Sequence, residues 1–193
     1  MKPELGARAA RIVGLAGVFA LVTVLIFFGG YGAVYGRLSD AALFVMILAL
    51  APVMGTFYEL GGRTPLRPAQ ASLVASVLAV LVWCSVQALL ISGAVTFEYE
   101  APATGGFAVE ALALVVIGLW VAGADLLAGP WLPARARWLG VAAGLGVVVF
   151  AAGLLLGGVN HPLTYVGGVG YQILLPIWAF LLASSWGSGA GRT

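Results

Sequence analysis

No Asp, Glu, Lys or Arg interrupts residues 138–191, which run WLGVAAGLGVVVFAAGLLLGGVNHPLTYVGGVGYQILLPIWAFLLASSWGSGAG. A helix that crosses the ~30 Å hydrocarbon core of a bilayer needs about 20 mainly apolar residues. This stretch is too long for one crossing, and residues 157–162 (GGVNHP) divide it, because paired glycines, Asn and Pro favour turns. The sequence therefore predicts two spanning helices here, at about residues 137–157 and 163–186.

Four further stretches without charge precede this one, at residues 12–36, 41–58, 68–97 and 111–124. They predict helices at about 11–30, 40–60, 68–92 and 106–127. Ser39 and Asp40 are residue types that cap helix N-termini, and Pro133 can open the fifth helix because a first turn does not need its N–H. We therefore expect residues 1–193 to form one all-α domain, a polytopic six-helix transmembrane bundle.

The composition predicts that lipid is the natural solvent of this chain. Apolar residues make up 62% of it and charged residues 8%, whereas soluble domains average roughly 45–50% and about 25%. Cys84 and His161 are the only residues of their types, which excludes an intrachain disulfide, a cysteine-ligated cluster and a haem held by two histidines of this chain. We expect no metal, no cofactor and no nucleic-acid partner.

The cations predict the orientation, because Lys and Arg collect in cytoplasmic segments. With six spans, both termini share one side with the connections after the second and fourth helices. That side holds eight of the nine cations: Lys2, Arg8, Arg11, Arg63, Arg67, Arg135, Arg137 and Arg192. We expect a multi-pass protein of a bacterial inner (cytoplasmic) cell membrane with both termini inside. A cleaved signal peptide at residues 1–36 is the alternative, but it lacks a small-x-small site before Tyr31 and its removal spoils the charge asymmetry.

The signatures of intramembrane enzymes are missing from the sequence. A zinc protease needs His-Glu-x-x-His, which one histidine cannot supply. A serine protease needs a base near its serine, yet His161 is predicted on the opposite side from Ser188. A diaspartyl enzyme needs two close carboxylates, and Asp125 is the only deep aspartate. We expect a protein that is not an enzyme.

Two carboxyl groups on the fourth helix are the most informative charges. Glu110 and Asp125 are fifteen residues apart, or about 22 Å along a helix, so a core of ~30 Å cannot lie wholly between them. One interpretation makes Glu110 the outer mouth of an ion or proton path. The other, which the sequence favours, makes Glu110 a helix-end charge in the interface. Asp125 then pairs with an inner arginine: Arg135, Arg137, Arg63 or Arg67. Glu59 and Arg63 form a candidate i,i+4 pair.

A second set of candidates is uncharged and predicted near mid-membrane or towards the outer side. Pro176 cannot donate to the carbonyl of Gln172, so that helix should kink and leave an acceptor free. The uncharged candidates form either an aromatic ligand pocket with a few polar contacts or contacts between helices in which their polar groups hydrogen-bond to one another. The second is the simpler expectation. The set comprises Trp83, Trp120, Trp178, Gln87 and Gln172.

Small residues on the fifth helix predict close packing. Gly140 and Gly144, and again Gly153 and Gly157, are four residues apart, and such pairs let helix backbones approach. This ridge fits a neighbour in the bundle, a second copy of the chain or another membrane protein. From all of this we expect a structural, regulatory or assembly protein. The alternative is a small permease or channel with a polar site around Glu110, Gln87 and Gln172.

Overall fold

The computed structural model describes residues 3–30, 33–61, 67–96, 98–129 and 131–187, and the regular structure in these ranges is helical. The α-helices are α1 Pro3–Phe28, α2 Ala33–Leu48, α3 Leu50–Leu60, α4 Arg67–Ile91, α5 Gly105–Leu127, α6 Ala134–Gly157, α7 Pro162–Val169 and α8 Leu175–Gly187. A 3₁₀ turn, Gly158–Asn160, precedes α7, and a π-helical turn, Gly170–Leu174, joins α7 to α8.

Six helical segments in the described ranges are long and apolar enough to cross a membrane, as the sequence predicts. We number them spans 1 to 6: α1, α2 with α3, α4, α5, α6, and α7 with α8. The break between spans 5 and 6 falls on the 3₁₀ turn, within the predicted residues 157–162. Apolar side chains such as Leu15, Leu127 and Val166 remain exposed on the outside of the bundle, where acyl chains would cover them.

The first and second spans begin earlier than predicted. Helix α1 starts at Pro3 rather than near residue 11. Helix α2 starts at Ala33 rather than near residue 40, so the expectation that Ser39 and Asp40 cap it is wrong. Ser39 is buried, and its hydroxyl donates to the carbonyl of Ala20 on α1 at 3.2 Å. A neighbouring helix therefore supplies the acceptor. At span 5 the expectation is confirmed, because Pro133 directly precedes α6.

Prolines account for the irregular turns inside spans 2 and 6. Span 2 is interrupted at Ala49, three residues before Pro52. In span 6 the π-helical turn ends two residues before Pro176 and contains Gln172. Proline lacks an N–H and its ring displaces the carbonyl four residues earlier, which favours a kink or a π-helical turn. The predicted distortion at Pro176 is thus present as a π-helical turn.

The spans form a closed ring in sequence order. Each packs against its neighbours in the sequence, and α1 packs against α8 to join the first span to the last. Large side chains from several spans fill the interior, among them Met54, Trp83, Ile117 and Trp178. Because consecutive spans run in opposite directions, connections 92–104 and 158–161 share one end, which we call the loop end. The start of α1, the end of α8 and connection 128–133 lie at the terminal end.

Glycines set the contact between spans 4 and 5. A Cβ atom added to Gly144 would lie 2.5 Å from both the Ala122 nitrogen and the Gly118 oxygen, so the two backbones touch there. Further along the same ridge, Gly153 packs against Thr164 and Gly157 against His161. The chain's own helices therefore occupy the ridge that includes Gly140 and Gly144. Binding of a second copy or of another membrane protein through this ridge stays a prediction.

Candidate functional site

Glu110 lies inside the ring rather than at its rim. It belongs to the second turn of α5, which begins at Gly105, and only 6% of its surface is exposed. Its Oε1 accepts a hydrogen bond of 2.5 Å from Nε2 of Gln87 on α4, which is equally buried. The interpretation of Glu110 as a water-facing helix-end charge is wrong, because α5 packs along α4 and turns this residue towards Gln87.

Two further polar atoms are enclosed near Glu110. Oε1 of Gln87 and Oη of Tyr171 have no hydrogen-bond partner in the described part of the chain. Tyr171 lies fully buried in the π-helical turn of span 6, where its ring packs on Phe150 at a centroid distance of 5.0 Å. Buried polar atoms without partners each cost about 1–3 kcal/mol, and proteins usually satisfy such atoms with water, an ion or a ligand. We call Glu110, Gln87 and Tyr171 the Glu110 site.

The loop end closes over this site. The amide of Val159 donates to the carbonyl of Tyr99 at 2.7 Å, and that of Ala103 donates to Leu154 at 2.9 Å, so connection 92–104 is fastened to the end of α6 and the turn after it. The Tyr99 ring meets the Phe107 ring edge-on at 5.3 Å. Burial, and then the charges of Asp40 and Glu110, raises the pKa of the Tyr99 phenol.

A cavity of about 620 Å³ opens between the end of α4 and the start of α5. Its walls include Val86, Glu98, Thr104 and Phe107. Val86 is next to Gln87 in the sequence, and Phe107 precedes Glu110 by one helical turn. The cavity thus lies at the loop end of α4 and α5, and the buried Phe107 is part of its wall.

Asp125 forms a second buried site, towards the terminal end of α5. It has no exposed surface, and its Oδ1 accepts a hydrogen bond of 3.1 Å from the indole nitrogen of Trp178. Its Oδ2 has no partner among the described residues and lies against Gly140. Neither Arg135, which is exposed near the start of α6, nor Arg137 bonds to Asp125, so the predicted ion pair with either is wrong. The side chains of the other two candidates, Arg63 and Arg67, lie outside the described residues. The candidate pair of Glu59 with Arg63 lies outside the described residues at Arg63.

The predicted aromatic candidates are only partly brought together. Trp120 and Trp178 both contact Phe57 of α3, at centroid distances of 5.7 and 6.0 Å, and Phe57 also meets Trp131 and Trp186. Trp83 is buried on α4 with its indole nitrogen unpartnered in the described part of the chain, and Gln172 is half-buried in the π-helical turn. Phe57 therefore occupies the place where a pocket between Trp120 and Trp178 would need space.

Sequence reasoning missed Tyr171 and the contact of Trp178 with Asp125. A signal for Tyr171 exists, since a tyrosine five residues before a mid-span proline is a polar group at a distorted turn. The partner of Asp125 carries no such signal, because Trp178 is fifty-three residues away in the sequence. No group of three or more His, Cys, Asp or Glu side chains in the described ranges is placed to hold a metal ion.

Comparisons with known proteins give no match to this chain among protein families, curated proteins or solved structures. The two carboxyl sites, Glu110 and Asp125, have similar surroundings. Each has one neutral donor, an amide at Glu110 and an indole at Asp125, and no cation bonded to it among the described residues. Such surroundings suit a carboxyl group that gains and loses a proton.

Proposed function

We propose that this chain is a small proton-conducting or proton-coupled permease of a bacterial cytoplasmic membrane, and that Glu110 is its proton-binding group. One observation carries the proposal: the Glu110 carboxyl is buried between spans and bonded to the neutral amide of Gln87. Ionisable groups inside a membrane are costly, and they commonly mark ion or proton paths. A merely structural contact at this position needs no ionisable group, because glutamine would fill the same volume.

The direction of access follows from the proposed orientation. Cations dominate the termini and the connections at the terminal end, which favours both termini in the cytoplasm. The loop end and its cavity of about 620 Å³ then face outwards. Protons would enter from outside through this cavity, whose wall includes Phe107, one helical turn before Glu110 on α5.

The Glu110 site can hold either form of the carboxyl group. In the neutral acid, Oε1 accepts from Gln87 and the proton resides on Oε2. Once the proton has left, the carboxylate keeps the Gln87 bond, and the Tyr171 hydroxyl is a buried donor without another partner in the described part of the chain. Hydrogen bonds to the ionised form offset part of its desolvation cost.

Proton flux into proteoliposomes tests this function. Vesicles that hold the purified protein and a pH-sensitive dye would be given a potassium diffusion potential with valinomycin. We expect acidification well above that of empty vesicles, and a loss of at least about tenfold in Glu110→Gln, which preserves shape and removes the titratable group. Glu100→Gln, in the exposed loop, is the matched control and should keep wild-type flux. Equal flux in Glu110→Gln and the wild type would reject the proposed role.

The second candidate is a non-enzymatic structural, regulatory or assembly protein of the same membrane. It is favoured by the tight contact of spans 4 and 5, where backbone atoms approach too closely for a side chain at Gly144. Such packing resists the movement that transport needs. Wild-type flux no greater than that of empty vesicles would favour this candidate over the permease.

A further inference from the structure

Asp125 sits in a compartment built by three spans. Its carboxyl group lies between Trp178 of span 6 and Gly140 of span 5, and a Cβ atom added to Gly140 would overlap both Asp125 and the Trp178 indole. Phe57 of span 2 stacks on the Trp178 ring and covers it. The glycine makes room for the carboxyl group, and the indole fixes the orientation of its Oδ1.

The described charged residues on α6, α8 and α3 do not neutralise this carboxyl group. On α6, Arg135 is exposed, and the guanidinium of Arg137 lies 5.7 Å from the centre of the Trp138 ring. Helix α8 contains no charged residue, and on α3 the nearest charge is the acidic Glu59. Oδ2 has no partner among the described residues. Among the described residues no cation bonds to it, and an ionised carboxylate in these surroundings would cost far more than a neutral acid.

We propose that Asp125 is a second proton-binding group, which carries its proton on Oδ2 while Oδ1 accepts from Trp178. On protonation an O–H bond forms at Oδ2 and the negative charge of the carboxylate is removed. The geometry of the Asp125 site does not depend on Glu110. That Asp125 is the inner proton-binding group of a route that begins at Glu110 rests on the proposed function.

Tyr171 lies between the two sites in depth along the bundle. It precedes Trp178 by seven residues in span 6, or about 10 Å of helix towards the loop end. The two carboxyl groups are about 22 Å apart along α5, so Tyr171 is at an intermediate level. A phenol both donates and accepts hydrogen bonds, so it suits an intermediate position in proton transfer.

Infrared spectroscopy of the full chain in bilayers tests the Asp125 site directly. We expect a C=O stretching band of a protonated carboxyl group at pH 7 that persists in Glu110→Gln, disappears in Asp125→Asn and shifts to lower frequency in D₂O. Trp178→Phe keeps the acid but removes its donor, so the band should remain and shift to higher frequency. The tryptophan variant distinguishes the Asp125 signal even if Asp125→Asn folds poorly.

The outcomes separate this inference from the proposed function. A band unchanged by both Asp125→Asn and Trp178→Phe would overturn the inference, as would a band that never shifts in D₂O, because the proton would then not exchange. If the Asp125 band behaves as expected but Glu110→Gln retains full flux, the role of Glu110 fails and the Asp125 site stands. Where both hold, flux in Asp125→Asn should fall at least about tenfold; unchanged flux would remove Asp125 from the route.

Discussion

The indole nitrogen of Trp178 donates to Asp125 across 3.1 Å and joins span 6 to span 4, which are not neighbours in the ring. Span 5 lies between them, and the absence of a side chain at Gly140 leaves the opening through which they meet. One hydrogen bond thus connects three consecutive spans near the terminal end. This contact therefore requires a donor at Trp178, an acceptor at Asp125 and no side chain at Gly140.

Trp178→Phe should destabilise the bundle by about 1–3 kcal/mol, because it leaves the buried Asp125 carboxyl without its donor. Thermal unfolding in detergent, followed by circular dichroism, measures the effect. The matched control is Trp120→Phe, at a tryptophan that also packs on Phe57 but is only half-buried. Equal losses in the two variants would assign the effect to aromatic packing and not to the hydrogen bond.

Gly144→Ala should lower the melting temperature, because its Cβ would press on the Ala122 nitrogen and the Gly118 oxygen. Overpacking of this kind costs about 1–3 kcal/mol. Gly123→Ala on α5 is the control, since a Cβ there meets no atom within 4 Å, and alanine favours helix over glycine. The control should melt at or slightly above the wild-type temperature. If Gly144→Ala also melts at or above the wild-type temperature, the backbones of spans 4 and 5 must be further apart than the structure places them.

Gly158→Ala should loosen the loop end. Gly158 has φ +74°, and its Cβ would overlap the carbonyl oxygens of Tyr99 and Ala101. Gly93 also has φ +74° but has open space around it, so Gly93→Ala carries the backbone strain of about 1–2 kcal/mol alone. Hydrogen exchange of residues 98–104 should accelerate in Gly158→Ala and much less in Gly93→Ala. Equal acceleration in the two variants would mean that the contact between Gly158 and connection 92–104 does not protect residues 98–104 from exchange.

Tyr99 should lose its proton only at unusually alkaline pH, because burial and the nearby charges of Asp40 and Glu110 raise its pKa. The fold favours the neutral phenol, so its stabilising contribution is complete below the ordinary pKa near ~10 and declines as pH rises towards the folded value. Tyrosinate absorbance of the wild type minus that of Tyr99→Phe isolates this group. Titration near ~10 in the native protein, as in denaturant, would contradict the expectation.

Cysteine labelling in a Cys84→Ser background tests the proposed orientation. Single cysteines at positions 98–104 should react with a membrane-impermeant reagent only from outside, and those at 133–136 only from the cytoplasm. The reason is the excess of Lys and Arg at the termini and in the connections on their side. Reaction of positions 98–104 from the cytoplasm would invert the map and place the cavity on the inner face.

The sequence alone determined the six spans and most of their ends, because the free energy of placing about 20 apolar residues in lipid depends on composition and length and not on neighbours. It also located the turn at residues 157–162 and the distortion before Pro176, which are consequences of local backbone chemistry. The start of the second span was predicted too late because Ser39 was read as a helix cap. Its hydroxyl instead donates to the carbonyl of Ala20 on another helix, a contact that local sequence does not reveal.

Only the tertiary structure decided the surroundings of the two carboxyl groups. Helical periodicity gives the spacing of Glu110 and Asp125 but not the rotation of α5 in the ring, and that rotation places Glu110 against Gln87 and Asp125 against Trp178. The rotation is set by where the backbones of spans 4 and 5 touch, at Gly118 and Gly144. Charge attraction alone suggested Arg135 as the partner of Asp125; packing turned the carboxyl group inwards, and a hydrogen bond from an indole replaced the ion pair.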